Sequence, residues 1–389
     1  MTTVPAAADL TAADLADAPY PHLARLRERD PVALVPALGG RLVTSRELAL
    51  RVLRDAATFT VDDPRFSTAQ VVGPSMLSLD GPAHTRHRDP FARPFRPART
   101  RERFTAFVEA EAARLVDGLA PDGRAELRGA LAGPLAVAVV TEALGLEGVD
   151  AATVRSWYGA FVDAVSAITA GGTAPMAAAE AYRLLTAAVE EAITASRPGS
   201  LLAEAARDEA GLATAEVVAN AAILMFGGID TTEGMIANAA LHLLGHPVQL
   251  RLVLDDPALL PAAIEESLRL EPAAAVVDRY AVRDTELGGT AIRAGELVRV
   301  SITAANRDPA VFPDPDRFDV RRANAAEHLA FAHGPHFCFG AHLARLETRT
   351  ALGALLGRLP GLRLDPGRPA RPHGLVFRKP PRLDVRWDR

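Results

Sequence analysis

Apolar residues recur at helical spacing through most of the chain, and these stretches stop at glycine or proline. The pattern predicts helices over residues 21–29, 46–54, 84–95, 101–119, 151–168, 177–196, 214–244, 264–270 and 340–356. Ser45 is expected to cap the second of these helices. Short runs at 32–35, at 41–44 and within 280–299 predict strands, with glycine pairs at 39–40 and 288–289 as turns. Residues 62–73 and 304–322 indicate loops. We therefore expect a mainly α-helical protein with small β-sheets, and one domain over 1–389 rather than two, because no repeat or linker interrupts the pattern.

The helix predicted over 214–244 is apolar on nearly every face, which is typical of a helix buried in a large core. Its centre nevertheless contains Gly227 and Gly228, followed by Asp230 and Thr231. An interior glycine costs about 1 kcal/mol relative to alanine, and a buried carboxylate needs a partner. One interpretation is that the glycines let a large group approach the backbone while Asp230 and Thr231 handle protons. The other is a packing glycine pair beside a satisfied carboxylate.

Composition narrows the class of protein. The 389 residues carry a net charge of −5, which argues against nucleic-acid binding. No apolar run approaches the roughly 18 residues of a membrane span, and the first ten residues lack the pattern of a secretory signal. The only cysteine, Cys338, excludes an internal disulfide framework. We expect a soluble, cytoplasmic protein without membrane or nucleic-acid partners. Its basic residues are arginines except for Lys379, a bias that we ascribe to a GC-rich genome.

Cys338 lies in the segment Phe331 to Gly340, just before the helix predicted over 340–356. A helix N-terminus lowers the pKa of a thiol and offers N–H donors to a thiolate. Two other interpretations stay open at this point. A single cysteine is often a small buried apolar residue. The nearby histidines also suggest a zinc site, formed with Cys338 by His333, His336 and His342.

The whole segment resembles the haem-binding loop of the cytochrome P450 family, F-x-x-G-x-[HR]-x-C-x-G. Five positions match in register: Phe331, Gly334, His336, Cys338 and Gly340. The family usually has glycine after the first phenylalanine, whereas this chain has Ala332, which we expect to stiffen the loop. Further segments resemble family motifs in the family's order, namely H-x-x-x-R at 84–88, [AG]-G-x-[DE]-T-[ST] at 227–232, E-x-x-R at 266–269, and the irregular region at 306–319.

The resemblance implies the cytochrome P450 fold of the soluble bacterial branch and a bound heme b (iron protoporphyrin IX). It implies that Cys338 is the axial thiolate ligand of the iron. The residues implied to contact the haem propionates are His84, Arg88, Arg279 and His336. Asp230 and Thr231 match the residues that relay protons to bound O2. Asp278 beside Arg279 is unusual, and we expect the two to pair.

The buried Glu266–Arg269 pair of the family is joined by a third basic residue. Arg317 and Arg322 both remain candidates for that place.

The implied function is that of a haem-thiolate monooxygenase, inserting one atom of O2 into an organic, largely apolar, secondary-metabolite-like substrate. We expect the pocket to draw on residues 71–77, 151–170, 224–228, 273–277 and 375–377, which are apolar and small. One cysteine cannot ligate an iron–sulfur cluster, so electrons must come from another protein. The resemblance implies a ferredoxin and its NAD(P)H-dependent reductase as these partners. A patch to steer an acidic ferredoxin is predicted from Arg86, Arg93, Arg96, Arg99, Arg345 and Arg349; the alternative is a merely solvated arginine-rich surface.

Other functions stay open on the sequence. The same fold catalyses atypical oxidations such as coupling, desaturation, nitration or peroxide-driven reactions, and a haem sensor without turnover is a further alternative. The Asp230–Thr231 pair argues against a sensor. His242 and His246 have the i, i+4 spacing of metal ligands, but the glutamate of the metalloprotease motif is missing, so we expect no metal there.

Overall fold

The computed structural model describes residues 7–146, 148–169, 172–196 and 200–389. Within them helices dominate. In chain order they are α1 (Ala12–Asp17), α2 (Pro19–Arg29), α3 (Arg46–Arg54), α4 (Ser67–Val72), α5 (Gly81–Ala92), α6 (Pro97–Leu119), α7 (Gly133–Leu144), α8 (Ala151–Thr169), α9 (Met176–Ala195), α10 (Leu201–Arg207), α11 (Thr214–Gly245), α12 (Pro247–Asp255), α13 (Leu260–Leu270), α14 (Ile302–Ala305) and α15 (Ala341–Arg358).

Three small sheets lie beside the helices. The strands are β1 (Val32–Val35), β2 (Gly40–Val43), β3 (Phe59–Thr60), β4 (Arg124–Glu126), β5 (Val276–Ala281), β6 (Thr285–Leu287), β7 (Thr290–Ile292), β8 (Leu297–Ser301), β9 (Arg363–Leu364) and β10 (Asp384–Arg386). The largest sheet has the order β1-β2-β8-β5-β3, the second β4-β10-β9, and the third is the β6-β7 hairpin. In the largest sheet β2 and β8 pair in parallel and the other neighbours antiparallel. The sheets therefore join strands from the two ends of the chain to its middle.

Helix α11 is the centre of the helical core. It packs against α7, α15, α13 and α9, and most of its residues are buried on all sides. That burial fits its apolar sequence, because a helix without a polar face needs protein all round. Helix α15, which begins three residues after Cys338, packs against α6 and α11. The cysteine loop is thus fixed to the same helices that form the core.

The sequence-based elements are largely present, with displaced ends. Ser45 caps α3 as expected, its hydroxyl accepting from the Leu48 N–H at 3.3 Å. The expectation of a loop over 62–73 is wrong in part, because α4 forms there and packs against α8. Helices α7, α10 and α12 were not predicted. In α7 the apolar residues continue on every side, so no periodic stripe marks it.

A buried charge cluster forms around Glu266 and Arg269, and its contacts identify the third basic residue that joins this pair. Arg269 Nε lies 2.7 Å from Glu266 Oε2, and both side chains are fully buried. Arg322 Nε donates to Glu266 Oε1 at 2.9 Å. Arg317 contributes only its carbonyl oxygen, which accepts from Arg269 and Arg322. Arg322 therefore completes the cluster, and Arg317 does not.

None of the helices in the described part of the chain has the length and apolar character needed to cross a membrane.

Candidate active site

The Cys338 loop is held by its own backbone and by the start of α15. The Cys338 N–H donates to the Phe331 carbonyl at 2.9 Å. Gly334 has φ +72°, and a Cβ there would run into the carbonyl of Leu53 in α3. Only glycine fits this position without strain, because it has neither a left-handed penalty nor a side chain. The loop that carries the Cys338 sulfur thus packs against α3 and leads into α15.

The Cys338 side chain is exposed, although protein surrounds it closely enough to change its pKa. Cys338 is free and its surface is exposed, while burial still raises the pKa of its thiol. N–H groups of Gly340 and Ala341, at the N-terminus of α15, and the nearby cations Arg88 and Arg345 act in the opposite direction. The surroundings thus favour a thiolate only when a cation such as a metal ion joins them, since metal coordination deprotonates a thiol.

Open space also occurs at the middle of α11. Gly227 is exposed although the residues around it are mostly buried, and a Cβ built on it would meet nothing within 4 Å. Gly228 is different, because its Cβ would lie 2.6 Å from a methyl group of Val140 in α7. The first glycine therefore leaves room for another group, whereas the second permits close helix packing.

Two buried polar groups near the cysteine loop have no carboxylate within hydrogen-bond distance in the described part of the chain. His84 Nε2 is buried without a hydrogen-bond partner among the described residues. Burial, followed by repulsion from His336, lowers the pKa of His84 to about 4. Arg279 is buried and donates to a carbonyl oxygen, that of Asp278, and burial lowers its pKa to about 10. A carboxylate-bearing ligand would satisfy both groups, so these residues fit a porphyrin with propionates.

The other two residues implied to contact propionates are engaged with protein groups. His336 Nε2 lies 2.8 Å from Asp80 Oδ1, and the His336 ring lies 4.4 Å from that of His84. Arg88 donates to the carbonyl of Phe337, and its guanidinium lies over the Phe339 ring at 5.2 Å. The structure thus gathers His84, Arg88, Arg279 and His336 around the cysteine loop.

Asp80 was missed by the sequence reasoning. Its second oxygen accepts from Thr60 Oγ1 at 2.7 Å and from the Val61 N–H at 2.9 Å. Burial alone would raise the pKa of this carboxyl, but the hydrogen bonds from His336, Thr60 and Val61 outweigh burial and lower it. Asp80 immediately precedes α5, which begins at Gly81 and carries His84 and Arg88. An acid directly before this histidine-bearing helix was the available signal.

The expected pairing of Asp278 with Arg279 is wrong. Asp278 lies 3.4 Å from Arg299 of the neighbouring strand, and Arg279 uses its own guanidinium to bind the Asp278 carbonyl oxygen at 2.7 Å. Adjacent residues of a strand point to opposite faces of the sheet, so the two side chains separate.

Asp230 and Thr231 contact different groups. The Thr231 hydroxyl donates to the Gly227 carbonyl one turn earlier in α11. Asp230 Oδ1 lies 2.5 Å from Nζ of Lys379, which also lies 3.3 Å from Glu233 Oε2. Sequence reasoning missed Lys379 as a functional residue; its being the only lysine was the available signal. The threonine therefore bonds within α11, while the acid belongs to a charged cluster.

The predicted pocket segments lie on several elements. Residues 71–77 include the end of α4, and 224–228 lie in the middle of α11. Residues 273–277 and 375–377 are joined by the bridge between Ala274 and Phe377, and the Phe377 ring lies 5.5 Å from that of Phe226. Within 151–170, α8 ends at Thr169, and Ala170 lies outside the described residues. The segments 224–228, 273–277 and 375–377 therefore meet near Phe226.

The predicted arginine patch is only partly available. Four of its six members pair with carboxylates: Arg86 with Glu216, Arg93 with Asp208, Arg99 with Glu102, and Arg345 with Glu265. Arg96 and Arg349 are exposed and have no carboxylate partner in the described part of the chain. The same is true of Arg101, which the sequence analysis did not include; its charge reaches His342 of α15.

The histidines offered as zinc ligands have other partners. Two nitrogens of the Arg54 guanidinium lie 3.3 and 3.2 Å from the two ring nitrogens of His333, while His336 binds Asp80. His242 Nδ1 lies 2.8 Å from Ser267 Oγ, and His246 Nδ1 lies 2.7 Å from the His242 carbonyl oxygen. The described residues contain no group of three or more His, Cys, Asp or Glu placed to hold a metal ion.

Comparisons with known proteins agree on one family. The family model described as cytochrome P450 matches residues 254–380. Cytochrome P450 monooxygenase PikC of Streptomyces venezuelae is 38% identical over 97% of this chain and 92% of its own length. Mycinamicin IV hydroxylase/epoxidase of Micromonospora griseorubida is 37% identical over 93% of this chain and 94% of its own. The crystal structure of CalO2 superposes with a TM-score of 0.88 at 31% identity, over 98% of this chain and 99% of that one.

Proposed function

The chain belongs to the cytochrome P450 family and is an oxidoreductase of its monooxygenase class; on that premise we propose that it inserts one atom of O2 into an organic, largely apolar substrate of the secondary-metabolite type. Members of the family use haem iron, O2, a redox partner and a small-molecule substrate. The observation that carries the proposal is the placement of Cys338. Its exposed side chain lies at the N-terminus of α15, near buried groups that have no anionic hydrogen-bond partner in the described part of the chain.

The group would be heme b, and the Cys338 thiolate would hold its iron. When bound, it would supply O2 activation, because a thiolate ligand pushes electron density toward O–O cleavage. The propionates are assigned to His84, Arg88, Arg279 and His336. His84 Nε2 and the Arg279 guanidinium are the strongest candidates, since both are buried without an acidic partner.

Two residues of α11 handle protons in this proposal. The Thr231 hydroxyl donates to the Gly227 carbonyl one turn earlier, so it lies on the same face of α11 as the open space at Gly227. Asp230 is the acid that accepts protons from solvent and delivers them toward Thr231. Chain groups thus supply the protons and exclude bulk water from the reacting position.

Apolar side chains line the segments that we assign to the substrate, and they favour a ligand with few polar groups. Phe226 and Phe377 meet edge to face at the convergence of three of these segments. The names of two relatives, a mycinamicin IV hydroxylase/epoxidase and a 6-deoxyerythronolide B hydroxylase, support a secondary-metabolite-like substrate.

We assign electron supply to a ferredoxin and its NAD(P)H-dependent reductase, since a single cysteine cannot hold an iron–sulfur cluster. The surface that we assign to the ferredoxin has fewer free arginines than the sequence predicts, and it consists of Arg96, Arg101 and Arg349. We also assign residues 1–389 to a single domain, because strands from both ends of the chain enter shared sheets. A reducing, cytoplasmic location suits the free Cys338.

The test is spectroscopic. The protein purified with haem available is expected to show the red-shifted Soret band of a thiolate-ligated, reduced carbonyl complex. Cys338→Ser is expected to lose that band, because a serine hydroxyl does not replace the thiolate. The matched control is Thr350→Ser, a partly buried site further along α15, which should keep it. A wild-type protein that binds haem without this band would overturn the assignment. Incorporation of label from ¹⁸O₂ into product then separates oxygen insertion from coupling or desaturation.

A further inference from the structure

The only lysine of the chain is placed against the acid of the proposed proton path. Lys379 follows the segment 375–377, and only 14% of its side chain is exposed. Its Nζ lies 2.5 Å from Asp230 Oδ1 and 3.3 Å from Glu233 Oε2. The two carboxylates are three residues apart on α11, and therefore on one face of the helix. One ammonium group thus bridges two acids.

The groups around this bridge balance its charge. Arg128 Nε lies 2.5 Å from Glu233 Oε1, and the same arginine donates to the carbonyl oxygen of Pro381 at 2.6 Å. Tyr158 of α8 hydrogen-bonds Asp230; burial and then that acid raise the pKa of the tyrosine. Two cations and two anions therefore face one another. The Arg128 end is the most open, with 24% of that side chain exposed, so solvent reaches the cluster there.

The backbone fixes where the lysine begins but leaves its end free to move. Arg378 N donates to the Ala273 carbonyl at 2.9 Å, and Lys379 N and O both bond with His373. The aliphatic stem passes Gly234 of α11, where a built Cβ would lie 3.6 Å from Lys379 Cβ and Cδ. The anchored backbone and the glycine groove direct the stem to the acids. The difference between the two Nζ–oxygen distances is less than 1 Å, so a small rotation exchanges partners.

Composition indicates that this position needs a lysine. Of the 43 Lys and Arg residues, 42 are arginine, so a cation required only for its charge would be arginine here as elsewhere. Arginine presents a rigid planar fork, whereas lysine is a compact charge on a flexible stem with three rotatable donors. A bridge that exchanges partners uses those properties of lysine.

We propose that Lys379 is the positioning residue for Asp230, holding its carboxylate in the cluster and releasing it by moving toward Glu233. Once released, Asp230 has lost its nearest cation, takes up a proton from water entering at the Arg128 end, and turns toward Thr231. Asp230 passes this proton toward Thr231 and takes another from solvent in the next cycle. No bond other than those to protons changes. The proposal rests on the proposed function of Asp230, and its first test is independent of turnover.

The first test is competitive acetylation of the haem-loaded protein. Acetic anhydride in trace amounts meets only two amines, Lys379 and the α-amine, so mass spectrometry gives their relative rates directly. Removing one partner in Asp230→Asn is expected to accelerate acetylation of Lys379 severalfold, because the ammonium group loses its nearest carboxylate and the amine is held less tightly in the cluster. Glu233→Gln is expected to act less, since its oxygen is the more distant partner. Equal rates in Asp230→Asn and wild type would overturn the bridge.

The second test separates positioning from charge balance. Lys379→Met keeps the length of the stem and Lys379→Arg keeps the charge. With a compound that shifts the haem spin state and a surrogate ferredoxin system, both variants are expected to bind the compound within about twofold of wild type. Both should yield about tenfold less product per NAD(P)H, release more peroxide and show a larger solvent isotope effect, as expected when proton delivery limits the rate. The control is Arg382→Met, three residues after Lys379, which removes an exposed arginine from its ion pair with Asp384.

The outcomes are distinct. Wild-type coupling and isotope effect in Lys379→Met would overturn the positioning role. Full rescue by Lys379→Arg would overturn the partner exchange, because a rigid cation would then suffice. Loss of the thiolate carbonyl band in wild type would instead overturn the proposed function, and the acetylation result would still report whether the bridge exists.

Discussion

At the scale of single residues, the cysteine loop carries one departure from its family pattern, and the backbone shows its consequence. Ala332 has φ +57°, in the left-handed region that a side chain disfavours by about 1–2 kcal/mol. Its N–H donates to the Leu329 carbonyl at 2.8 Å, which holds the strained turn in place. The dihedral angle shows backbone strain at Ala332, while the stiffening of the loop stays a prediction.

Ala332→Gly is therefore expected to stabilise the haem-loaded protein by about 0.5 kcal/mol. Relief of the left-handed strain exceeds the extra entropy that glycine has in the unfolded chain, which is about 0.5–1 kcal/mol. The urea midpoint measures the change at constant slope. Ala187→Gly, at an exposed position inside α9, is the matched control and should destabilise by about 1 kcal/mol. A lower midpoint for Ala332→Gly would show that the strain is absent.

Single residues also show where sequence reasoning ends. The cap at Ser45 and the Glu266–Arg269 pair were predicted because their partners lie three residues away. The choice between Arg317 and Arg322 was not, since the two lie close together in sequence and only the path of the chain decides which guanidinium reaches Glu266. The Asp230–Lys379 contact joins residues 149 apart, so no local pattern predicts it.

At the scale of elements, the two glycines of α11 do different work, although they are adjacent. A Cβ on Gly227 meets nothing within 4 Å, whereas a Cβ on Gly228 meets Val140 at 2.6 Å. The sequence left open whether the glycines admit a large group or permit helix packing, and it did not predict that Gly227 faces open space while Gly228 packs against α7. That difference depends on the position of α7, a helix that the periodicity did not predict.

Alanine substitutions at these two positions should have opposite effects. In the haem-free protein Gly227→Ala is expected to stabilise by about 1 kcal/mol, because alanine favours a helix interior and no side chain of the described residues opposes its methyl group. Gly228→Ala is expected to destabilise by about 1–2 kcal/mol, because Val140 or the helix must move, which is the cost of overpacking. Urea midpoints of the two haem-free variants check this. Changes of the same sign would contradict the assignment of the two faces.

At the scale of the whole molecule, the net charge of −5 conceals an uneven distribution of arginine. Most of the predicted patch residues are neutralised by carboxylates, which a sequence cannot reveal because the partners lie in distant segments. The unpaired remainder lies around the cysteine loop. Arg96 directly precedes α6, and the adjacent residue Phe95 packs on Phe339 of the cysteine loop at a ring distance of 5.1 Å. Arg349 lies seven residues after His342 on α15.

Positions seven apart share a helix face, and Arg101 acts on His342, so Arg101 and Arg349 belong to one surface. Replacing Arg96, Arg101 and Arg349 by glutamine should slow reduction by an acidic ferredoxin severalfold at low salt, because electrostatic steering raises association rates. The difference from wild type should disappear above about 0.5 M salt, where charges separated by more than a few ångströms are screened. Glutamine at Arg93, Arg99 and Arg114, whose charges are already paired, is the matched control. Stopped-flow reduction against ionic strength measures both triple variants. If the two lose rate equally, net charge steers the partner and the local surface does not.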